Sequence, residues 1–380
     1  MNMQFKTFLL CGLMTLPSVS QANVFPNREK IDRFLNKLGA DRKADMRKTI
    51  DWGIVPGPFY TPELGVGVGV AAVGLYRPDD RQRDTPLSSL SFTGFASSTG
   101  AFGIGYENYT FIDNDSWRFY LSGDLSRRPL HYWGEGYHAG RKQRGKQSYD
   151  STKLSGVPRI LYQLANHTYA GVGWSISYEG ASSLQHKTNG SFYHQDESRH
   201  IFSSGASVLF SYDSRDFVAN PSRGQVLNLS WTRYSPAIAS DNRFDALDAQ
   251  YNIYHAINDT NLLAWEVYSR FTSGHVPWTM QSLLGDSHHL RGYYEGRYRN
   301  RNMLTSQLEW RKKLSWRHGV VAWLGAGSMS DKPSEVLDGH WLPSVGAGYR
   351  FEFKKNMNIR LDYGLGQHSS GFYFQVGEAF

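Results

Sequence analysis

From Leu64 onward the sequence alternates between apolar residues and polar or small residues, in runs of about 10 to 15 residues. The first four runs read LGVGVGVAAVGLY, LSSLSFTGFASS, AFGIGYENYTFI and SWRFYLSGDLSRR. A period of two is the repeat of a β-strand whose two faces have different surroundings. Strands of this length cross a bilayer when they are tilted. The pattern therefore predicts a series of membrane-crossing β-strands.

The composition agrees with strands that face lipid on one side only. Aromatic residues make up 14% of the chain and glycines number 38, yet the mean hydropathy is −0.50. In a transmembrane barrel the lipid-facing residues alternate with polar or small residues of the lumen, which keeps the mean hydropathy low. We therefore expect an all-β protein, a transmembrane antiparallel β-barrel.

The number of strands follows from the runs and from parity. Fifteen runs are clear between residues 64 and 380, and an even number is needed if both chain ends lie on the periplasmic side. The segment HYWGEGYHAGRK, residues 131–142, is the best position for the missing strand. We therefore predict about 16 strands, with about 12 to 14 as the alternative. Five runs follow the long loop after Phe271, which predicts that this loop is extracellular.

The N-terminus has the pattern of a secretory signal. Residues 1–22 combine Lys6, the apolar run FLLCGLMTL and the sequence SQA ending at Ala22, which predicts cleavage near Ala22 and a mature protein that starts at Asn23. The apolar run is shorter than the roughly 20 residues that a spanning helix needs. Cys11, the only cysteine, lies within the signal, so we expect no disulfide and no thiol chemistry in the exported chain.

Residues 23–56 contain the one helical-looking region. Ile31, Phe34, Leu35 and Leu38 have the spacing of one helix face, amid dense mixed charge. We expect a short periplasmic amphipathic helix here, either packed on the barrel mouth or acting as a plug or partner-docking element. The barrel itself is expected to occupy residues 57–380.

The loop at about residues 274–300 is far longer than an ordinary hairpin connection. Loops of this length are usually functional or disordered, and disordered segments are poor in large apolar residues. Leu290 and Tyr293 therefore favour an ordered loop. Arg291 precedes Gly292, whose backbone can adopt torsions closed to other residues. We predict that the loop is folded and that Arg291 makes a directed contact.

Four segments together resemble the bacterial surface antigen family, the BamA and TamA superfamily of outer-membrane barrels. They are YDSRDF followed by NPSRG, LRGYYEGRYRNRN followed by QLEWR, VGAGYRFEF, and RLDYGLG running on to SGFYFQVGEAF. The second segment, which contains Leu290, Arg291, Gly292 and Tyr293, is the most specific. The resemblance covers most of residues 57–380.

The resemblance implies that Arg291 enters the barrel lumen and pairs with an acidic group of the wall. Glu309 in the following strand is the first candidate partner and Asp362 the second. An arginine in a narrow lumen needs such a partner, since an unpaired buried charge is costly, and a guanidinium can bind a carboxylate through two parallel hydrogen bonds. The resemblance also implies that Phe380, a C-terminal aromatic residue on an alternating strand, is part of the signal for membrane insertion.

The sequence departs from the family in two places. Family members often carry an acidic residue in a pattern like F-x-D-x-G after the loop, and in the corresponding run here, VVAWLGAGS, Leu324 or Gly325 stands in its place. The stretch between Ala22 and the first strand is too short for the periplasmic substrate-binding repeats that usually precede these barrels. The chain is therefore expected to be a barrel of this family that lacks those repeats.

Two functions fit these features. One is a role in outer-membrane protein assembly or translocation, with a weak seam between the first and last strands that opens toward lipid. The other is a passive pore or structural barrel in which the loop serves as a plug. The expected location is the outer membrane, and the expected partners are its lipid, the barrel-assembly machinery during insertion of the protein itself, and client membrane proteins.

Other functions have weaker support in the sequence. In the triplet Ser287, His288, His289 the adjacent histidines point apart, and the sequence does not fix an acidic residue that would orient either of them. We therefore expect no enzyme activity. Two histidines without a spaced third ligand do not predict a metal site, and no motif for a cofactor is visible. Despite a net charge of +7, an exported barrel is not expected to bind nucleic acid.

Overall fold

The computed structural model describes residues 48–79, 85–183, 199–218, 220–354 and 357–380, together with Glu29, Arg33, Asn36, Lys37 and Gly39. The predicted signal peptide and the apolar residues of the predicted N-terminal helix lie outside the described residues. Glu29, Arg33, Asn36 and Lys37 are helical. Within the described part of the chain, no helix is both long and apolar enough to cross a membrane.

Sixteen strands form one antiparallel sheet in which each strand pairs with the next along the barrel. The barrel strands are β1 (Asp51–Thr61), β2 (Gly65–Tyr76), β3 (Ser88–Ser97), β4 (Phe102–Ile112), β5 (Trp117–Tyr132), β6 (Gln147–Ala165), β7 (Thr168–Ser182), β8 (His200–Asp213), β9 (Gly224–Tyr234), β10 (Phe244–Asn258), β11 (Asn261–Gly274), β14 (Asn302–Ser315), β15 (His318–Ser330), β16 (Leu342–Lys354), β17 (Met357–Gly366) and β18 (Ser369–Val376). β12 (Ser282–Leu284) and β13 (Tyr298–Asn300) pair with each other inside the long loop.

The predicted count of 16 strands is confirmed, but the position proposed for the missing strand is wrong. Residues 131 and 132 end β5, and a short helix, Gly136–Arg141, follows. The missing strand is β1, which starts at Asp51, inside the stretch predicted to be helical. Its alternation is masked by Pro56 and Pro58. Proline is tolerated in a strand at the edge of a sheet, where its missing N–H is not needed, and β1 is such a strand.

The strands bear apolar residues on their outer face and small or polar residues on their inner face. On β2, Val66 and Val68 are 61% and 66% exposed, whereas Gly67 and Gly69 occupy the alternate positions. A continuous band of exposed apolar side chains suits hydrocarbon, and the alternate residues line the lumen. The fold is therefore the predicted transmembrane barrel.

The two ends of the barrel differ in their connections. An even number of antiparallel strands places the start of β1 and the end of β18 at one end. Several two-residue connections lie at that end, such as residues 166–167, 259–260 and 316–317. The long loop between β11 and β14 leaves from the opposite end, as parity predicted. The loop therefore starts at the end far from the termini and can enter the lumen from there.

Candidate functional site

The long loop, residues 275–301, turns back into the barrel. β12 and β13 form its stem, and residues 285–297 form its tip. Leu290 and Gly292, on either side of the arginine, both have positive φ angles, 56° and 109°. Glycine adopts this conformation without strain. The left-handed backbone on both sides of Arg291 directs its side chain away from the course of the loop.

A cluster of buried apolar residues holds the loop against the wall. It consists of Leu284, Leu290, Tyr293, Tyr298, Met303, Met329 and Leu342. The first four belong to the loop, and the other three belong to β14, β15 and β16. Apolar burial of this kind is the main favourable contribution to packing. The predicted aromatic and aliphatic anchors of the loop are thus its points of attachment.

Arg291 is fully buried in the lumen and contacts four consecutive strands. Its Nη2 donates to Glu309 Oε2 of β14 at 2.5 Å, and its Nη1 donates to Asp362 Oδ2 of β17 at 2.7 Å. The guanidinium lies 3.7 Å from the ring centre of Trp323 on β15, a cation–π contact. The Ser344 hydroxyl of β16 donates to the Arg291 carbonyl oxygen. The structure thus brings Arg291 together with both carboxylates that the sequence singled out.

Three further arginines surround the same two carboxylates. Arg311 Nε donates to Glu309 Oε1 at 2.7 Å. Arg350 Nη1 donates to Asp362 Oδ1 at 2.5 Å, and Arg360 Nη1 donates to Asp362 Oδ2 at 3.2 Å. Removing one member of such a buried network leaves the others uncompensated, which is strongly destabilising. Sequence reasoning missed these arginines because alternation gives the face of a residue but not its neighbours on other strands.

A third carboxylate joins the network from beyond the last strand. Glu378 Oε2 accepts from Arg350 Nε at 2.8 Å, and its Oε1 accepts from Asn358 Nδ2 at 2.6 Å. Four arginine side chains therefore meet three carboxylates. Arg360 Nε and Nη2 have no hydrogen-bond partner among the described residues. The network holds the loop, and it contains one more arginine than carboxylates.

Gly292 fixes the loop tip on the last two strands. Its amide donates to the Tyr373 hydroxyl of β18 at 2.9 Å. A Cβ on Gly292 would lie within 3.0 Å of backbone atoms of Gly364 and Leu365 on β17. Only glycine permits this approach at a positive φ. The predicted loop glycine therefore has a steric role against the wall in addition to its role in the turn.

The same loop also bonds to the turns of the first and the last strand pairs, at the mouth of the barrel. The Glu295 amide donates to Glu63 Oε1, in the turn between β1 and β2, at 2.5 Å. Two residues later, Arg297 Nη1 donates to the His368 carbonyl oxygen, in the turn between β17 and β18, at 3.1 Å. Arg297 Nε donates to the Gly140 carbonyl oxygen of the short helix at 3.0 Å. The loop is thus attached to both the first and the last strand pairs.

The last residues do not continue the final strand. β18 ends at Val376, and the following residues turn into the lumen. His288 Nδ1 lies 2.8 Å from the Ala379 carbonyl oxygen, and Arg311 Nη2 donates to the Phe380 carbonyl oxygen at 2.7 Å. The prediction that the strand extends to Phe380 is therefore wrong. Whether Phe380 serves as an insertion signal stays a prediction.

The adjacent histidines of the loop have separate partners. The ring of His289 stacks on Tyr268 at 4.1 Å, and its Nδ1 lies 3.1 Å from Glu266 Oε1. His288 contacts the backbone of the C-terminal segment instead. The described residues contain no group of three or more histidine, cysteine, aspartate or glutamate side chains placed to hold a metal ion. Both histidines therefore attach the loop to its surroundings.

The motif YDSRDF and NPSRG lies at the end of the barrel where β1 starts and β18 ends. β8 ends at Asp213 and β9 begins at Gly224, so the motif marks a strand end and a turn. Asp213 accepts from Arg215 Nε at 2.8 Å and from Arg118 Nη1 at 3.0 Å. This ion-pair cluster ties the turn to β5, away from the arginine network of the loop.

The seam between β1 and β18 is the second unusual feature of the barrel. No ladder of hydrogen bonds joins these two strands in the described part of the chain. On β1, Ile54 is 47% exposed on the outer face, so Val55 and Gly57 belong to the inner face. On β18, Tyr373 contacts the loop in the lumen, so Phe374 belongs to the outer face.

These opposite faces are in contact with each other. Phe374 and Val376 of β18 pack against the cluster that Val55 of β1 forms with Phe353 of β16. A Cβ on Gly57 would lie 2.2 Å from an atom of the Phe374 ring. Val376 also packs against the cluster around Leu75 on the inner face of β2. The outer face of the last strand thus lies against the inner face of the first two strands, and the sheet overlaps itself instead of closing.

Comparison with known proteins agrees with this architecture. The model of the Omp85 superfamily domain matches residues 89–380. No curated protein sequence matches the chain significantly.

Solved barrels of similar fold have very different sequences. BamA from Haemophilus ducreyi lacking POTRA domains 1–3 aligns with a TM-score of 0.53 and 12% identity, over 92% of this chain and 77% of the other. CdiB from Acinetobacter baumannii aligns with a TM-score of 0.53 and 11% identity, over 92% and 68%. CdiB from Escherichia coli aligns with a TM-score of 0.51 and 11% identity, over 93% and 70%. At this identity the likeness concerns the fold. Because the family match extends over most of the chain, the protein belongs to the Omp85 superfamily of outer-membrane β-barrels.

Proposed function

We propose that this barrel acts in outer-membrane protein assembly or translocation by opening its seam toward the lipid, so that client membrane segments enter the membrane between β1 and β18. The observation that carries the proposal is the overlapped seam. Apart from this seam, each neighbouring pair of barrel strands shares a ladder of hydrogen bonds. Opening the barrel here breaks no ladder of backbone hydrogen bonds between strands, so it costs far less than opening any paired position.

The short strands on the β18 side of the seam support the same proposal. β18 has 8 residues and β17 has 10, whereas β6 has 19. A transmembrane strand ordinarily needs about 9 to 11 residues. A wall that is too short is accommodated by local thinning of the bilayer. The lipid next to the seam is therefore the lipid that is most easily disturbed by an inserting segment.

The loop provides control of the seam. Through Arg297 it is bonded to the turn beside β18, and through Glu295 it is bonded to the turn beside β1. The buried contacts of Arg291 fix the tip between these points. A loop attached in this way keeps the overlapped state closed until a client or a lipid contact displaces it.

The alternative is a passive barrel in which the loop is a permanent plug. The observation that favours it is the complete burial of Arg291 and Tyr293, which places a firmly attached segment across the lumen. On this alternative the protein neither accelerates the folding of other barrels nor opens at the seam. Single-channel conductance then becomes the informative property.

The decisive experiment measures client folding with the seam locked. A urea-unfolded eight-stranded outer-membrane barrel is diluted into liposomes with and without the purified protein. Gly57→Cys and Phe374→Cys, neighbours across the seam, are joined by a reducible thiol-specific cross-linker. The matched control joins Leu247→Cys and Phe271→Cys, a pair within the β10–β11 ladder.

We expect the protein to accelerate client folding, the seam cross-link to abolish the acceleration, and the reductant to restore it. The control cross-link should have no effect, since that position is already paired. If the free protein gives no acceleration, the passive barrel is the correct assignment. Equal acceleration with the seam locked would exclude the seam as the route.

A further inference from the structure

The free edge of β1 is composed of its even-numbered residues. The Ser98 amide donates to the Val66 carbonyl oxygen at 2.7 Å, so Val66 directs its backbone groups to β3. Residues of an antiparallel strand alternate between their two neighbours, so Gly67 directs its groups to β1, where it faces Phe59. Phe59 and the other odd-numbered residues of β1 therefore pair with β2. The even-numbered residues direct their backbone groups to the seam.

Two of these seam positions are prolines. Pro56 and Pro58 are successive even-numbered residues of β1, and proline has no backbone N–H. A strand added to this edge would find no donor at either position. Proline on an edge strand is a known means of preventing strand addition. In the membrane the prolines have a second effect, since a donor left unpaired in hydrocarbon is costly and these two are absent.

The free edge of β18 lacks none of its backbone N–H donors. The Gly377 amide donates to the Asn358 carbonyl oxygen at 2.7 Å, so the odd-numbered residues in this register pair with β17. The even-numbered residues direct their backbone groups to the seam. These residues are Ser370, Phe372, Phe374 and Val376. Each has both a donor and an acceptor, and none of them joins a ladder with β1.

From this asymmetry we infer that β18 is the edge that accepts an incoming β-strand, and that β1 is a cover that does not pair. The inference rests on the proposed function and specifies its partner chemistry, an extended strand with outward apolar residues that adds to β18 through main-chain hydrogen bonds. In the overlapped state Gly57 and Val55 lie over the outer face of β18, where an added strand would have to pass. Separation of the overlap exposes the four complete positions of β18 to a client.

The overlapped state also depends on the residues after β18. Glu378 is bonded to Arg350 and Asn358 in the lumen, which holds the end of β18 inward. Strand addition to β18 requires this end to move outward with the strand. The arginine network therefore opposes premature exposure of the accepting edge.

The test compares two aromatic residues on the two edges. The photoreactive amino acid p-benzoylphenylalanine replaces Phe372 on β18 or Tyr60 on β1, both even-numbered seam positions. The probe is the same eight-stranded barrel, diluted from urea into liposomes that contain each variant, and irradiated while it folds. Folding of each variant is verified by its heat-modified mobility, and acceleration of the probe is recorded in parallel.

We expect at least tenfold more probe adduct from position 372 than from position 60. In a Pro56→Val, Pro58→Val background, which restores both donors, the adduct at position 60 should increase severalfold. Equal or greater adduct at position 60 in the natural sequence, or no response to the proline replacements, overturns the inference and leaves the proposed function standing. Accelerated folding without adduct at either edge also overturns the inference alone. Absence of acceleration rejects the proposed function and, with it, the inference.

Discussion

Gly57 of β1 lies against the ring of Phe374 of β18, so that the inner face of the first strand contacts the outer face of the last. This relationship differs from that of every other neighbouring strand pair in the barrel, which share a face and a ladder. A side chain at position 57 would occupy the space of the ring. The missing side chain of Gly57 is thus what lets the sheet overlap.

The first prediction concerns this contact. Gly57→Ala should destabilise the overlap by about 1 to 3 kcal/mol, the usual cost of overpacking, because the new Cβ would lie 2.2 Å from a ring atom of Phe374. The measurement is urea unfolding in detergent micelles. Gly94→Ala is the matched control, since a Cβ at Gly94 has no neighbour within 4 Å. Equal unfolding midpoints for the two variants would contradict the overlap.

The second prediction concerns the loop arginine. Arg291→Ala should lower the free energy of unfolding by about 3 kcal/mol, within the range for breaking a buried ion pair, and should raise the conductance of the barrel because the loop loses its anchor. Arg291→Lys should restore only part of the loss, since an ammonium cannot bind Glu309 and Asp362 in the same planar arrangement.

The control for the arginine is an exposed pair. Arg233→Ala removes an ion pair with Asp245 in which the arginine side chain is 52% exposed. Exposed pairs contribute about 0 to 1 kcal/mol, so this variant should unfold almost as the natural protein does. A melting point and a conductance that are both unchanged in Arg291→Ala would exclude an anchoring role.

The third prediction separates the hydrogen bond of the loop tip from its packing. Tyr373→Phe keeps the ring but removes the hydroxyl that accepts from the Gly292 amide. The amide is buried, and an unsatisfied buried donor costs about 1 to 3 kcal/mol. We expect a loss of stability in this range together with faster proteolysis of the loop. Natural stability would mean that packing against Gly364 and Leu365 holds the tip without this bond.

The sequence predicted the features of this protein that depend on local patterns. Alternation predicted the strands from Gly65 onward. The family resemblance of the loop implied Glu309, with Asp362 as the second candidate, as the partner of Arg291, and the structure places both beside it. Parity required a sixteenth strand, but Pro56 and Pro58 concealed it.

The remaining features depend on relations between distant segments. Nothing in the local pattern places Arg350 beside Asp362, because that requires the register of β16 on β17. The overlap depends likewise on how the first and last strands meet. Gly377, with a φ of 94° directly after β18, was the one local signal that the strand ends before Phe380.

The fourth prediction concerns the C-terminal residue. Deleting Phe380 should reduce the amount of folded protein in the outer membrane much more than it reduces synthesis, because the family resemblance assigns the terminal aromatic residue to the insertion signal. The deletion also removes the carbonyl oxygen that accepts from Arg311. Folded yield is measured by heat-modified mobility of membrane fractions. Refolding of the purified variant in detergent separates the two effects, since only the lumen contact matters there.

The fifth prediction is a pH dependence at the mouth of the barrel. Glu63 lies in the turn between β1 and β2 and accepts from the Glu295 amide. Burial, and secondly the charge of Glu295, raises the pKa of Glu63 from its usual 4.5 to about 7. The folded protein therefore holds a proton that the unfolded chain releases at lower pH. The contribution of Glu63 to stability is largest below pH 4.5, falls between pH 4.5 and about 7, and stays low above that.

Glu63→Gln tests this dependence, because the amide keeps an oxygen that can accept from Glu295 but does not titrate. The unfolding midpoint in urea is measured for both proteins at each pH. We expect it to fall less between pH 5 and pH 8 in Glu63→Gln than in the natural protein. Glu335→Gln, in an exposed loop where the carboxylate pairs with Lys332, should follow the natural curve. Parallel curves for Glu63→Gln and the natural protein would mean that the turn beside β1 is not held by this carboxylate, and the mouth of the seam would then depend on Arg297 alone.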